Sequence, residues 1–296
     1  ILLSGLRAHM RSNLLFIHLI FICIGSAAQS NTYTVEQVPF TKDLLGFFGT
    51  CMLQDSDGFM WFGSRNGLLR YDGSRFKTFH HEPENDKSIS LDYIQCLFED
   101  SDGILWVGTN NGLNRFDKYT ESFTRFSEIY GDPSYLPAEH ISYLRESRDG
   151  IIWIGTQRGI CSYDKSRDTY KNYDICLADT LNKFTFEGIG LIYEDRAETL
   201  WIQSGHERLC RLLPETDSIE VVASFSCGIT SFLEDRLGRF WVTTYCGLYL
   251  FDRENALYTR YLNDPDDPNS LQDIMVRTIM EDTQGNIWIR TYEGIY

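Results

Sequence analysis

Six tryptophans, Trp61, Trp106, Trp153, Trp201, Trp241 and Trp288, are the only ones in the 296-residue chain, and they stand 45, 47, 48, 40 and 47 residues apart. A near-constant period of this length marks a repeat architecture, in which each copy is one supersecondary unit that cannot bury its apolar face alone. The period therefore overrides the one or two ordinary domains that length by itself would imply.

The second copy is the clearest. Ile94 to Asp100, Ile104 to Thr109, Leu113 to Asp117 and Ser122 to Phe126 are short β-branched and aromatic runs, separated by Ser101-Asp-Gly103 and Asn110-Asn-Gly112. Asp-Gly and Asn-Gly between such runs are the turns of consecutive hairpins, so each copy is expected to supply four antiparallel strands, a to d. Four strands every ~45 residues is the period of a propeller blade, and the fold class expected is all-β, a β-propeller. No segment after residue 28 sustains a helical pattern through these glycines, which excludes a helical solenoid. A twisted blade leaves a face to cover, so the strand-b tryptophans are expected to sit between neighbouring blades, all six of them in the core.

The turn between strands b and c has its own signature. Gly67, Gly112, Gly159, Gly247 and Gly294 each follow their tryptophan by six residues, where a positive φ is expected; the fourth copy has Glu207 there instead. Asp55 to Gly58 and Asp100 to Gly103 resemble the start of a calcium loop but lack its further carboxylates and closing Glu, so a tight a–b turn is expected and no metal or other cofactor.

The amino-terminal residues have a different character. From Met10, Arg11 precedes an apolar run from Leu14 to Ile24 and then Gly25-Ser-Ala-Ala28. A basic start, a short apolar stretch and a small-residue site read as an export signal, with residues 1–28 expected to be removed and 29–296 to form the propeller. The run is too short for the ~20 residues of a spanning helix. Loss of Arg7 and Arg11 deepens the net charge from −15 to −17, which disfavours nucleic acid and anionic membranes and leaves a neutral or cationic ligand as the better match. Seven cysteines remain (Cys51, Cys96, Cys161, Cys176, Cys210, Cys227 and Cys246), an odd number without a C-x-x-C pair; they are expected to be small buried hydrophobes, although an exported protein could form disulfides. Thr34 to Val38 reads as an orphan strand d, and Tyr296 falls in strand c of the sixth copy, so five complete blades and a sixth lacking its last strand are expected, from a longer protein.

The stretch Glu99 to Asp117, reading Glu-Asp-x-x-Gly-x-Leu-Trp-x-Gly-Thr-x-x-Gly-Leu-x-x-Phe-Asp, resembles the two-component regulator propeller repeat. So do the connector Asn269 to Asp273, its echo Lys87 to Leu91, and the opening copy Gly58 to Phe76. The resemblance implies the periplasmic sensor region of a hybrid two-component system, seven blades to a ring, responding to an oligosaccharide and signalling to a histidine kinase outside this chain. It also allows a homodimer through the parent sensor. The later copies depart from the pattern: the Gly two residues after the tryptophan becomes Gln203, Thr243 and Arg290.

Alternating strands place the b–c turns and d–a connectors on one face of the ring, which carries the longer and more variable segments. That face presents Arg65 and Asn66 from the first copy, Asn110 and Asn111 from the second, and Gln157 and Arg158 from the third. His206 and Arg208, Tyr245, and then Arg290, Tyr292 and Glu293 come from the fourth, fifth and sixth. Amides, guanidiniums and tyrosines suit sugar hydroxyls and ring faces. Eleven residues before each tryptophan stand Thr50, Gln95, Ser142, Gly190, Thr230 and Arg277, a small or polar column expected to line the central channel. Once residues 1–28 are removed, the four remaining histidines (His80, His81, His140 and His206) have no metal-ligand spacing, and there is no nucleophile elbow, phosphate loop or kinase motif, which points away from catalysis in this chain. The alternatives are a propeller used only for protein docking or dimerisation, and a lyase like the streptogramin lyases.

Overall fold

The computed structural model describes residues 48–126, 140–173, 188–213, 215–264, 266–267, 270–271 and 273–296, so the leader, the orphan strand at Thr34 to Val38 and Cys176 lie outside it. The described residues form strands and turns. Blade one holds β1 (Gly49–Gln54), β2 (Met60–Ser64), β3 (Gly67–Tyr71) and β4 (Phe76–Phe79); blade two holds β5 (Ile94–Glu99), β6 (Leu105–Thr109), β7 (Gly112–Asp117) and β8 (Ser122–Phe126). Blade three is β9 (Ile141–Glu146), β10 (Ile151–Thr156), β11 (Gly159–Asp164) and β12 (Thr169–Tyr173), and blade four is β13 (Ile189–Glu194), β14 (Leu200–Ser204), β15 (Arg208–Leu213) and β16 (Ser218–Ser224). Blade five comprises β17 (Ile229–Glu234), β18 (Phe240–Thr244), β19 (Gly247–Asp252) and β20 (Leu257–Tyr261), and the sixth sheet β21 (Val276–Glu281) and β22 (Ile287–Thr291).

Each of the first five sheets pairs its strands antiparallel in chain order, a-b-c-d, and the sixth pairs only two strands. There strand c is reduced to a bridge between Arg290 and Ile295, with Ile289 and Tyr296 exchanging two backbone hydrogen bonds of 2.8 Å. Strands a are innermost: β1 lies against β5, β5 against β9, β9 against β13 and β17 against β21.

The core is divided among the seams between blades. Trp61 packs with Ile94, Leu105, Val107 and Phe116 of blade two, and Trp106 with Ile141, Ile152, Ile154 and Tyr163 of blade three. Trp153, Trp201 and Trp241 repeat the arrangement against blades four, five and six. A carboxylate six residues upstream fixes most of these rings: Trp61, Trp106, Trp201, Trp241 and Trp288 donate Nε1–H to Asp55, Asp100, Asp195, Asp235 and Asp282 at 2.7–2.9 Å. That bond satisfies the polar edge of a residue whose body is buried. Those aspartates also accept from backbone N–H groups of the a–b turn, as Asp55 does from Phe59 at 2.8 Å, which is the tight-turn role expected of Asp55 to Gly58.

Three expectations need correction. Trp288 is 46% exposed where the other five are at most 8%, because among the described residues no further blade lies against its face. The b–c turn glycines have positive φ at Gly67, Gly112, Gly159 and Gly247 but not at Gly294, and blade four uses Gly205 (φ +62°) two residues before Glu207. Not all cysteines are simple hydrophobes: Cys161 and Cys210 are buried thiols, but Cys227 and Cys246 form a disulfide.

Candidate functional site

The column that begins each blade is shaped by a feature the linear reading lacks. Every strand a carries a β-bulge against strand b, and the unpaired residues are Thr50, Gln95, Ser142, Gly190, Thr230 and Arg277, the whole of the expected channel column. A bulge bends the strand and re-aims one side chain. Apolar residues fall three apart across it, as at Ile94 and Leu97, instead of two; that broken alternation is the sequence signal of the inserted residue. Thr50, Ser142 and Thr230 each donate a hydroxyl to the backbone carbonyl of the next strand a, at Ile94, Ile189 and Val276, tying the inner strands together. Leu144, Ile192, Phe232 and Ile279, two residues further on, point into the seams and are buried.

Blades two to four join bulge residues to b–c turns in a continuous polar band. Gln95 donates Nε2–H to Asn110 Oδ1 at 2.7 Å and stands 3.4 Å from His140 Nε2. His140 in turn borders a cavity of about 310 Å³, lined also by Ser142 and Gln157 of blade three and by Gly188, Ile189, Gly190, Gln203, Gly205 and His206 around blade four. Two substitutions within the repeat create it. Blades one to three place Gly63, Gly108 or Gly155 two residues after the tryptophan, close against Cys51, Cys96 and Tyr143; blade four instead has Gln203 there, and Gly190 in the bulge. A Cβ at Gly190 would collide with the Gln203 amide, so the glycine is what admits the larger side chain.

Gln203 is 6% exposed and donates Nε2–H to the carbonyls of Gly205 at 2.7 Å and His206 at 3.4 Å. Its orientation is thereby fixed, and its Oε1 accepts no hydrogen bond from the described residues. On the opposite wall His140 Nδ1 is buried without a partner. A cavity with a fixed acceptor, an imidazole and a hydroxyl converging on it has the composition of a site for a polyhydroxylated or amide-bearing ligand.

Further round, Gly228 lies against both Tyr245 and His206, and the Arg277 guanidinium sits 5.0 Å over the Tyr245 ring, its Nη1 3.5 Å from the hydroxyl. The Cys227–Cys246 disulfide holds this b–c turn to the d–a connector, and Arg260 donates to the Cys246 carbonyl at 2.6 Å.

Of the residues picked from sequence, Asn110, Gln157 and His206 thus fall on the polar band, and Tyr245 with Arg277 beside it. The others do not join them. Asn66, Asn111 and Arg158 donate backbone N–H to Ser64, Thr109 and Thr156, closing their turns. Arg65 packs over the Tyr93 ring at 5.3 Å; Arg208 pairs with Ser224 at a strand edge; Arg290 lies in β22, and Tyr292 is 74% exposed. Gln203 and His140 were the members of the site that the candidate list lacked. The break in the repeat at Gln203 was the signal for one; nothing local marks the other.

Five four-stranded blades, a sixth begun, and an inner ring of bulges define a β-propeller. Segments 46–66, 88–111, 135–158 and 270–293 match the two component regulator propeller model. Those four segments carry the repeat of that family. No curated protein matches the chain. Among solved structures it is similar to the extracellular domains of hybrid two-component systems BT3049 and BT4673 of B. thetaiotaomicron. The first has 22% identity and a TM-score of 0.60 over 82% of this chain and 39% of that one; the second has 23% and 0.58 over 84% and 38%. The chain therefore spans under two fifths of the length of those domains. A virginiamycin B lyase of Staphylococcus aureus also shares the fold, at 14% identity and a TM-score of 0.57 over 82% of this chain and 77% of the lyase.

Proposed function

We propose that this chain is the extracytoplasmic, periplasmic sensing propeller of a two-component system, and that it binds an oligosaccharide at the mouth of the channel between blades three and four. The observation that carries the reading is the cavity bounded by Gln203, His140, Ser142, Gln157 and His206, built where blade four departs from the repeat. An amide fixed by its own backbone offers a sugar hydroxyl an acceptor at little entropic cost. The repeat family and the two-component neighbours support a sensing role, and the disulfide fits an oxidising compartment. Signal output, membrane attachment and any homodimer would belong to parts of a parent protein beyond these repeats.

Catalysis is the weaker reading. Among the described residues no three His, Cys, Asp or Glu side chains are grouped to hold a metal, and the acidic pairs Glu99-Asp100 and Glu234-Asp235 are engaged at seams and turns.

The test is a thermal shift of the purified chain against a panel of neutral oligosaccharides. A member that binds should raise Tm by mass action. Gly190→Val, which would displace the Gln203 amide from the cavity wall, should abolish that rise. No shift for any glycan contradicts sugar sensing and favours a docking platform; turnover of a panel member would make the chain an enzyme.

A further inference from the structure

Seams between blades are tied at the a–b and c–d turns by a repeated cation. Lys118, just after β7, reaches Glu99 of its own blade at 2.8 Å and Asp57 and Asp55 of the preceding blade at 2.7 and 3.8 Å. Lys165, at the same place after β11, reaches Glu146, Asp102 and Asp100 at 2.7, 2.6 and 3.4 Å. Arg253, after β19, reaches Glu234 at 2.9 Å and Asp195 at 2.7 Å. Three seams thus use one device, in which a cation from one blade is shared by carboxylates of two.

The seam between blades three and four has lost it. The sequence places Pro214 after β15, where the cation belongs, and Ser147 where the other blades have the aspartate that holds the tryptophan. The indole N–H of Trp153 accordingly has no hydrogen-bond partner among the described residues. Glu194 and Asp149 remain, as the counterparts of Glu146 and Asp102. The neighbouring Arg148 does not fill the gap: its guanidinium turns to the Arg196 carbonyl at 3.2 Å and to Glu198 at 4.0 Å, and only its backbone N–H reaches Glu194. A cleft of about 870 Å³ lies at this seam, with Ser147, Asp149, Glu194, Trp153, Leu200 and Leu212 among its walls; the clamped seam between blades one and two has one of about 700 Å³, but with Lys118 on its wall beside Asp55 and Asp57. Arg211, also on the cleft, keeps a buried Nε–H without a partner.

We propose that this cleft is a binding site for a small organic amine, whose ammonium takes the position that Lys118, Lys165 and Arg253 occupy in the other seams. Glu194 and Asp149 receive the charge, and the apolar wall at Leu200 and Leu212 receives the alkyl part, where blade five sets Phe240 under the Arg253 guanidinium at 5.5 Å. The protein's net charge of −15 concentrates such cations around it. The site lies at the turns opposite the channel mouth and does not depend on the sugar reading.

The experiment uses the full chain with butylamine, which copies the end of a lysine side chain, and 1-butanol as the neutral control. Butylamine at about 10 mM should raise Tm and butanol should not, as expected for a ligand that binds only the folded state. Glu194→Gln should remove the response. The double variant Ser147→Asp/Pro214→Lys, which restores the missing pair, should be more stable without ligand and should not respond to amine. No response in the wild type, or an equal response in the restored variant, would overturn the proposal; the second result would show general cation screening.

Discussion

Lys165 binds three carboxylates at once, and Glu146 shows the effect of the contact. Burial alone would raise Glu146, but hydrogen bonds from Lys165 and Ser101 outweigh it and hold the carboxyl below the ordinary range. A carboxylate with a depressed folded pKa adds stability above its unfolded value of ~4.3, and that stability is lost as pH falls through the folded value. Lys165→Met should therefore cost about 2 kcal/mol at pH 7, between an exposed and a buried pair, and less as pH drops below about 4. Urea denaturation at pH 7 and pH 3 checks this; equal losses at both would mean that packing of the lysine stem dominates. At the same scale the sequence was legible where a residue repeats. The tryptophans and turn glycines recur in register and could be placed. Gln203 and Gly190 make sense only together, as a volume exchanged between adjacent strands, and one chain read linearly does not show which residues face each other. Trp288 was misplaced for a related reason: its burial depends on a neighbouring blade and not on its own strand.

At the scale of the strand and turn, hairpin grammar was read correctly because Asp-Gly and Asn-Gly signals act locally. The bulges escaped, since an inserted residue shifts the apolar pattern by one and leaves composition unchanged. The disulfide escaped too, because Cys227 and Cys246 are 19 residues apart without a recognisable spacing and meet only when the d–a connector folds over the b–c turn. It closes a loop of that length, for which chain entropy gives about 3 kcal/mol. Cys246→Ser, or reduction of the wild type, should lower Tm by several degrees, read by calorimetry with and without reductant. An unchanged Tm would show that β17 to β19 hold the turn unaided. Because Tyr245 is the residue before Cys246, the same variant should loosen the Tyr245–Arg277 pair.

Over the whole molecule, repetition builds the scaffold, and two openings stand where the repeat is broken. Both lie on blades three and four: one at the channel mouth, where Gln203 and Gly190 replace the usual pair, and one at the opposite turns, where Ser147 and Pro214 replace the clamp. The remaining seams are packed by aromatic side chains and, in three cases, tied by a shared cation. A rigid frame with a local opening suits the sensing role proposed above. Hydrogen–deuterium exchange tests the central claim most directly, comparing the chain alone and with the neutral oligosaccharide that most raises its Tm. New protection should be confined to residues 140–142, 157 and 203–206. Protection elsewhere, or none with any oligosaccharide, would contradict it.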